Sequence, residues 1–98
     1  MKAKELIRRR TDVADGAFAD VALWELGGPI PPCGHPYKYR LAFVVDGVCV
    51  IRYDNERGKG DHRHVGESET PYVFLDVDRL VADFFSDAKR WLDENRND

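Results

Sequence analysis

The sequence predicts an α+β domain, an antiparallel β-meander of about four to six strands packed on a C-terminal amphipathic α-helix. Three observations predict it. Asp46-Gly47 stands between two apolar β-branched runs, the signature of a two-residue type I′ hairpin turn. Val77, Leu80, Val81, Phe84, Phe85, Ala88, Trp91 and Leu92 recur at helical i, i+3, i+4 spacing. The remaining apolar stretches are short and punctuated by Gly, Pro and Asp, as strands joined by turns are. With 98 residues the chain fits a single domain, 1–98, built on one core.

In chain order, Ala3–Arg10 reads as a strand with an exposed basic end, and Thr11–Gly16 supplies turn residues. Ala17–Leu26 resumes as a second strand carrying Phe18, Val21, Leu23 and Trp24, so the two form a first hairpin. Gly27–Pro36 holds four of the five prolines and is a loop, because proline removes ladder donors. The second hairpin spans Tyr37–Asn55. Its turn pairs Val45 with Val48, Phe43 with Val50, Leu41 with Arg52 and Tyr39 with Asp54. On that register both faces are apolar near the turn and polar at the open end. Residues 56–61 form a glycine-containing loop, His62–Val65 a short strand and Pro71–Leu75 another. The helix follows, with acids early and Lys89-Arg90 late, and its apolar stripe covers one face of the sheet.

Composition excludes several classes. Hydrophobic residues make up 43% and charged residues 34%, which is globular rather than disordered. No apolar run approaches the ~20 residues that span a bilayer. MKAKELIRRR lacks the apolar segment of a secretory signal, so a soluble, cytoplasmic protein without a membrane partner is expected. Two cysteines are too few for a disulfide framework. A reducing cytoplasm opposes a Cys33–Cys49 bridge, and Cys49 sits in an apolar run as a small hydrophobe. The net charge of −3 divides unevenly, +2 over residues 1–64 and −5 over residues 65–98. An acidic chain is no generic nucleic-acid binder, yet converging basic groups can still make a local anion site.

The residues able to carry chemistry concentrate in Arg52–His64, RYDNERGKGDHRH. His62 and His64 point to one side of an extended segment, about 6.5 Å apart along it, and suit a general base and acid flanking a phosphodiester. Lys59, Arg52 or Arg40 would stabilise charge on phosphate oxygens, and Asp54 would orient an imidazole or an arginine. Attack of an RNA 2′-hydroxyl on its own phosphate needs these groups and no cofactor or metal. Blander assignments stand beside this one. The cluster is equally a solvated loop, with Arg52–Asp54 a structural ion pair. Cys33, His35, His62 and His64 would make a Cys-His₃ zinc set, although the spacing matches no closed zinc motif. GKG lacks the rest of a phosphate-binding loop. Trp24 and Trp91 read as packing groups rather than base-stacking platforms, and Arg8-Arg9-Arg10 as a solvated strand end, with a part in drawing in nucleic acid as its alternative.

IRRR, YKYRLAFVVDGVCVIRYDN, GKGDHRHVG and PYVF together resemble the TumE family of toxins from prokaryotic toxin–antitoxin modules, over nearly the whole chain. RYDN and GDHRH at this spacing are the most specific parts, and Asp54, Asn55, His62 and His64 match the family's motif. The resemblance implies the toxin of a type II module, acting on RNA or translation and neutralised by a helix-turn-helix antitoxin. Joined to the residues above, it gives a metal-independent endoribonuclease. His62, His64, Asp54 and Lys59 would be catalytic, and Arg40, Arg52, Tyr53, Asn55 and Arg63 would bind substrate. The alternative is a non-enzymatic protein that blocks a target or serves as a regulatory partner through the sheet's polar end. An exposed edge strand would permit a homodimer.

Overall fold

The computed structural model describes residues 3–96. Six strands, β1 (Lys4–Ala14), β2 (Ala17–Glu25), β3 (Tyr37–Val45), β4 (Val48–Glu56), β5 (Gly60–Val65) and β6 (Ser68–Pro71), precede helix α1 (Val77–Asn95). The strands pair in chain order β1-β2-β3-β4-β5-β6, and every pair is antiparallel. The fold is therefore an α+β meander with one helix, as the sequence predicts.

Turn chemistry sets the strand boundaries. Asp46 and Gly47 both take positive φ, 50° and 83°, which the type I′ turn requires. The first hairpin is longer than expected. β1 continues to Ala14 and pairs Ala14 with Ala17, so only Asp15-Gly16 turn, with Gly16 at φ 69°. The last strand also shifts. Gly66-Glu67 forms a two-residue turn that pairs Val65 with Ser68, placing β6 at Ser68–Pro71 rather than Pro71–Leu75. Beyond it the chain stays extended without strand pairing. Tyr72 and Phe74 face inward, while Val73 and Leu75 are 75% and 65% exposed.

The β3–β4 register departs from the expected one at a single residue. Val45 faces Val48 and Val44 faces Cys49, but Phe43 then faces Ile51, leaving Val50 as the extra residue of a bulge. Beyond it Leu41 faces Tyr53, Ala42 faces Arg52 and Arg40 faces Asp54. The bulge shifts the pairing by one, and since side chains alternate with period two, it sorts the two faces. One face carries Ala19, Val21, Leu23, Tyr39, Leu41, Phe43, Ile51 and Tyr53, all buried. The other carries Arg8, Arg10, Asp20, Arg40, Arg52, Asp54, His62 and His64. The polarity gradient expected along the hairpin is thus a division between faces.

Helix α1 covers the apolar face. Asp76 caps it, its carboxylate accepting the Arg79 N–H at 2.7 Å. Leu80, Phe84 and Ala88 are buried against the sheet, with Val81, Phe85, Trp91 and Leu92 packed around them. Asp87 lies in the same stripe, 8% exposed, where it accepts from the Tyr53 hydroxyl and, at 2.7 Å, from Arg63 Nε. A carboxylate so placed ties helix to sheet, and it pushes the Tyr53 hydroxyl, already raised by burial, further above its ordinary range. The loop after β2 closes through Leu26 N–H to Pro36 O at 2.7 Å and buries Ile30 and Cys33. Both cysteines are free. Cys33 is the buried one and Cys49 the exposed one, the reverse of the expectation for Cys49, because Cys49 pairs with Val44 on the face the helix leaves bare.

Candidate functional site

Alternation along β4 and β5 fixes which of the singled-out residues can meet. On the helix-free face Arg52 stands opposite His64 and Asp54 opposite His62, so these four side chains share one patch. Asp54 is its centre. One carboxylate oxygen lies 3.2 Å from Arg52 Nε and the other 2.7 Å from His62 Nε2. Arg52 Nε, Asp54 Oδ1 and His62 Nε2 are buried there without an aligned hydrogen-bond partner. His62 Nδ1 donates to the Gly60 carbonyl at 3.1 Å, so both ring nitrogens face acceptors. The two imidazoles stand edge to face, 5.2 Å between centroids.

Arg52 Nη2 lies 3.0 Å from His64 Nε2. A guanidinium has only donors, so Nε2 accepts and the His64 proton sits on Nδ1, which faces Glu69 at 3.8 Å. His64 therefore presents a basic lone pair, held under Arg52. Exposure is graded across the patch: the side chains of His62, Asp54, His64 and Arg52 are 5%, 14%, 23% and 35% exposed. An anion arriving from solvent meets Arg52 first and the imidazoles beneath it.

Lys59 sits at the rim. Its ammonium pairs with Glu69 at 2.8 Å, and this hydrogen bond holds Lys59 above and Glu69 below their ordinary pKa values. A cleft of about 310 Å³ lined by Lys59, Asp61, His62, Glu69, Thr70 and Pro71 leads to His62. Arg40 completes the same cross-strand row, paired in register with Asp54 on one side and Ala22 on the other.

Tyr53, Asn55 and Arg63 lie on the opposite, helix-covered face. Tyr53 and Arg63 bind Asp87. Asn55 is fully buried, accepting the Tyr39 N–H at 3.0 Å and donating to the Tyr37 carbonyl at 2.7 Å. The structure does not bring these three to the histidines. It brings Glu69 and the Gly60 carbonyl there instead, and neither stood out in the sequence. The signal for Glu69 was Gly66-Glu67 as a hairpin turn, which sets Glu69 across from His64.

A second polar cluster occupies the helix side. Asp61 accepts from His35 Nε2 at 2.7 Å and from the Tyr39 hydroxyl at 2.6 Å. Phe74 stacks on the His35 ring at 3.8 Å. Burial, then the neighbouring Asp61 carboxylate, push the Cys33 thiol up to about 11. Cys33 and His35 group with Asp61, and His62 and His64 with Asp54, so the Cys-His₃ zinc set is split between the faces. Neither triad's hydrogen bonding favours a metal. His35 Nδ1 accepts the Tyr37 N–H at 3.2 Å, which places the proton on the very nitrogen that would ligate. On the open face the Arg52 guanidinium already supplies the cation between Asp54 and His64.

A six-stranded antiparallel meander, with a helix on its apolar face and an imidazole–carboxylate–guanidinium cluster on its bare face, defines a small α+β domain with one side of its sheet left uncovered. The chain belongs to the TumE toxin family, whose model, described as Toxin TumE, matches residues 2–92. No curated protein and no solved structure matches it. No described helix is long and apolar enough to cross a membrane.

Proposed function

We propose that the chain is the toxin of a type II toxin–antitoxin module and arrests growth by metal-independent cleavage of RNA at the Asp54–His62–His64 cluster. The observation that carries this is the pairing of Arg52 with His64 Nε2 over a carboxylate-held His62. An RNA phosphate competes for the Arg52 guanidinium, with Arg40 beside it, and draws Arg52 off the imidazole. The freed Nε2 then takes the 2′-hydroxyl proton. The 2′-oxygen attacks phosphorus, and His62, set beside Asp54, gives the proton on its Nε2 to the departing 5′-oxygen. The products are a 2′,3′-cyclic phosphate and a 5′-hydroxyl, and the guanidinium stabilises the charge on the phosphoryl oxygens. Lys59 steers substrate from the rim once it leaves Glu69. The antitoxin, a helix-turn-helix protein on this reading, neutralises by covering the same basic face.

The burial of His62 favours one rival, a non-enzymatic protein that docks this face onto a target. Induction in a bacterial host separates them. Cleavage expects arrest by the wild type and growth with a soluble, folded His62→Ala/His64→Ala variant. Docking expects arrest by both, and loss of arrest on Arg40→Glu.

A further inference from the structure

Beyond the histidine cluster, the bare face continues across β3, β2 and β1, and its composition there is unlike a solvated strand end. Arg8, Ala22, Arg40, Asp54 and His62 form one cross-strand row. Arg10, Asp20, Ala42, Arg52 and His64 form the next. Trp24 stands on this face one step beyond Ala22, with Lys38 as its β3 neighbour. Arg9 is the exception in the triplet and faces the helix side, beside Val81 and Phe85. These two rows hold four arginines against Asp20 and Asp54, so they carry a cationic excess.

Partners distinguish the groups on this surface. Arg10 pairs with Asp20 at 3.6 Å and caps the Phe18 ring at 4.1 Å, so that aromatic is covered. Arg52 is engaged by Asp54. Arg8 and Arg40 are exposed, and among the described residues no carboxylate pairs with either. Trp24 is half-buried, and no described ring or guanidinium stacks on it. Arg8, Asp20, Ala22, Trp24 and Arg40 line a hollow of about 160 Å³, floored by the small Ala22.

From this juxtaposition we infer that Trp24, Arg8 and Arg40 form a nucleotide subsite that seats one base and its flanking phosphates of a single-stranded RNA. The inference deepens the cleavage reading and rests on it for the identity of the polymer. Three strand spacings, roughly 14 Å, separate β2 from β5. A short single strand laid across the sheet therefore reaches from Trp24 to the scissile phosphate at His64, within the roughly 4 to 16 nucleotides that sheet platforms hold. An indole face accepts any unstacked base, whereas a base inside a duplex is unavailable to it, which selects single strands. The two unpaired guanidiniums supply bidentate phosphate contacts on either side of the hollow.

The test measures binding apart from cleavage. Fluorescein-labelled decauridine is titrated, by anisotropy, into the full-length His62→Ala/His64→Ala protein and into the same protein carrying Trp24→Ala, Trp24→Phe or Arg8→Ala. Trp24→Ala is expected to weaken binding on the order of tenfold and Trp24→Phe to restore most of it. Arg8→Ala is expected to lower the slope of log affinity against log salt by about 1. Unlabelled uridine monophosphate, but not inorganic phosphate, should quench Trp24 fluorescence in a Trp91→Phe background. Equal affinity for all variants with an unchanged salt slope overturns the subsite, as does failure of the parent to bind decauridine. Should Trp24→Ala misfold, Trp24→Phe and Arg8→Ala still decide. Binding through Trp24 by a wild type that cuts no RNA would refute cleavage and keep the subsite. Cleavage with an unchanged KM in Trp24→Ala would do the reverse.

Discussion

Replacing Asn55 by alanine separates a structural role from a substrate contact at a position the family resemblance picks out. Its side chain is wholly buried on the helix-covered face, bridging the Tyr39 N–H at 3.0 Å and the Tyr37 carbonyl at 2.7 Å where β3 begins. Alanine leaves a buried donor and a part-buried acceptor without partners. Each unsatisfied buried group costs about 1–3 kcal/mol, and Tyr37 keeps some access to water, so the sum is about 2–4 kcal/mol. For a chain of this size each kcal/mol lowers Tm by roughly 4–8 °C, giving a fall of about 8–32 °C. Thermal unfolding followed by circular dichroism, with urea titration at 25 °C, measures it. RNA affinity at a temperature where the variant is folded should be unchanged. A Tm within about 3 °C of wild type together with lost RNA binding would refute the reasoning and put Asn55 at the substrate.

Three further outcomes follow from the same geometry. Asp87→Ala removes the acceptor shared by Tyr53 and Arg63, and urea titration should show a loss of about 2–4 kcal/mol. Gly16→Ala forces alanine to φ 69° with its methyl 2.5 Å from an Asp46 carboxylate oxygen; even after that side chain swings away, about 1 kcal/mol should be lost on thermal unfolding. The Cys33 thiol is raised in the folded protein from 9 to about 11, so the folded state binds more protons than the unfolded state between those values. Its contribution is fully present below pH 9 and is lost as pH rises through about 11. Urea midpoints measured across that range should fall less steeply for Cys33→Ala than for wild type.

The elements legible in the sequence are those whose cause is local. Asp46-Gly47 fixes a turn by its own φ preferences, and Asp76 with the stripe from Val77 fixes a helix start by capping and periodicity. What stayed hidden depends on partners far along the chain. Val50 looks like any strand residue, and only pairing against Phe43 and Val44 makes it a bulge; missing it exchanges the partners of Arg40 and Asp54. Asp61 reads as a loop residue beside Gly60, yet its carboxylate joins His35 and Tyr39 from 26 and 22 residues away. Asp87 was readable in principle, since a carboxylate three residues after Phe84 and one before Ala88 interrupts an otherwise apolar stripe. Of the candidate site, alternation places Arg52 with Asp54 and His62 with His64, while the β4–β5 pairing that joins the two pairs was not legible in a stretch that reads as a loop. Tyr53, Asn55 and Arg63 fall on the other face by that same alternation.

The central claim, that the bare face of the sheet cuts RNA through His64 and His62, is tested most directly by end-group analysis of RNA incubated with the purified protein in the presence of a metal chelator. The account predicts 2′,3′-cyclic phosphate and 5′-hydroxyl ends from the wild type, and their disappearance with a folded His64→Ala protein. Intact RNA with a wild type that still arrests growth, or the same ends from His64→Ala, would contradict it.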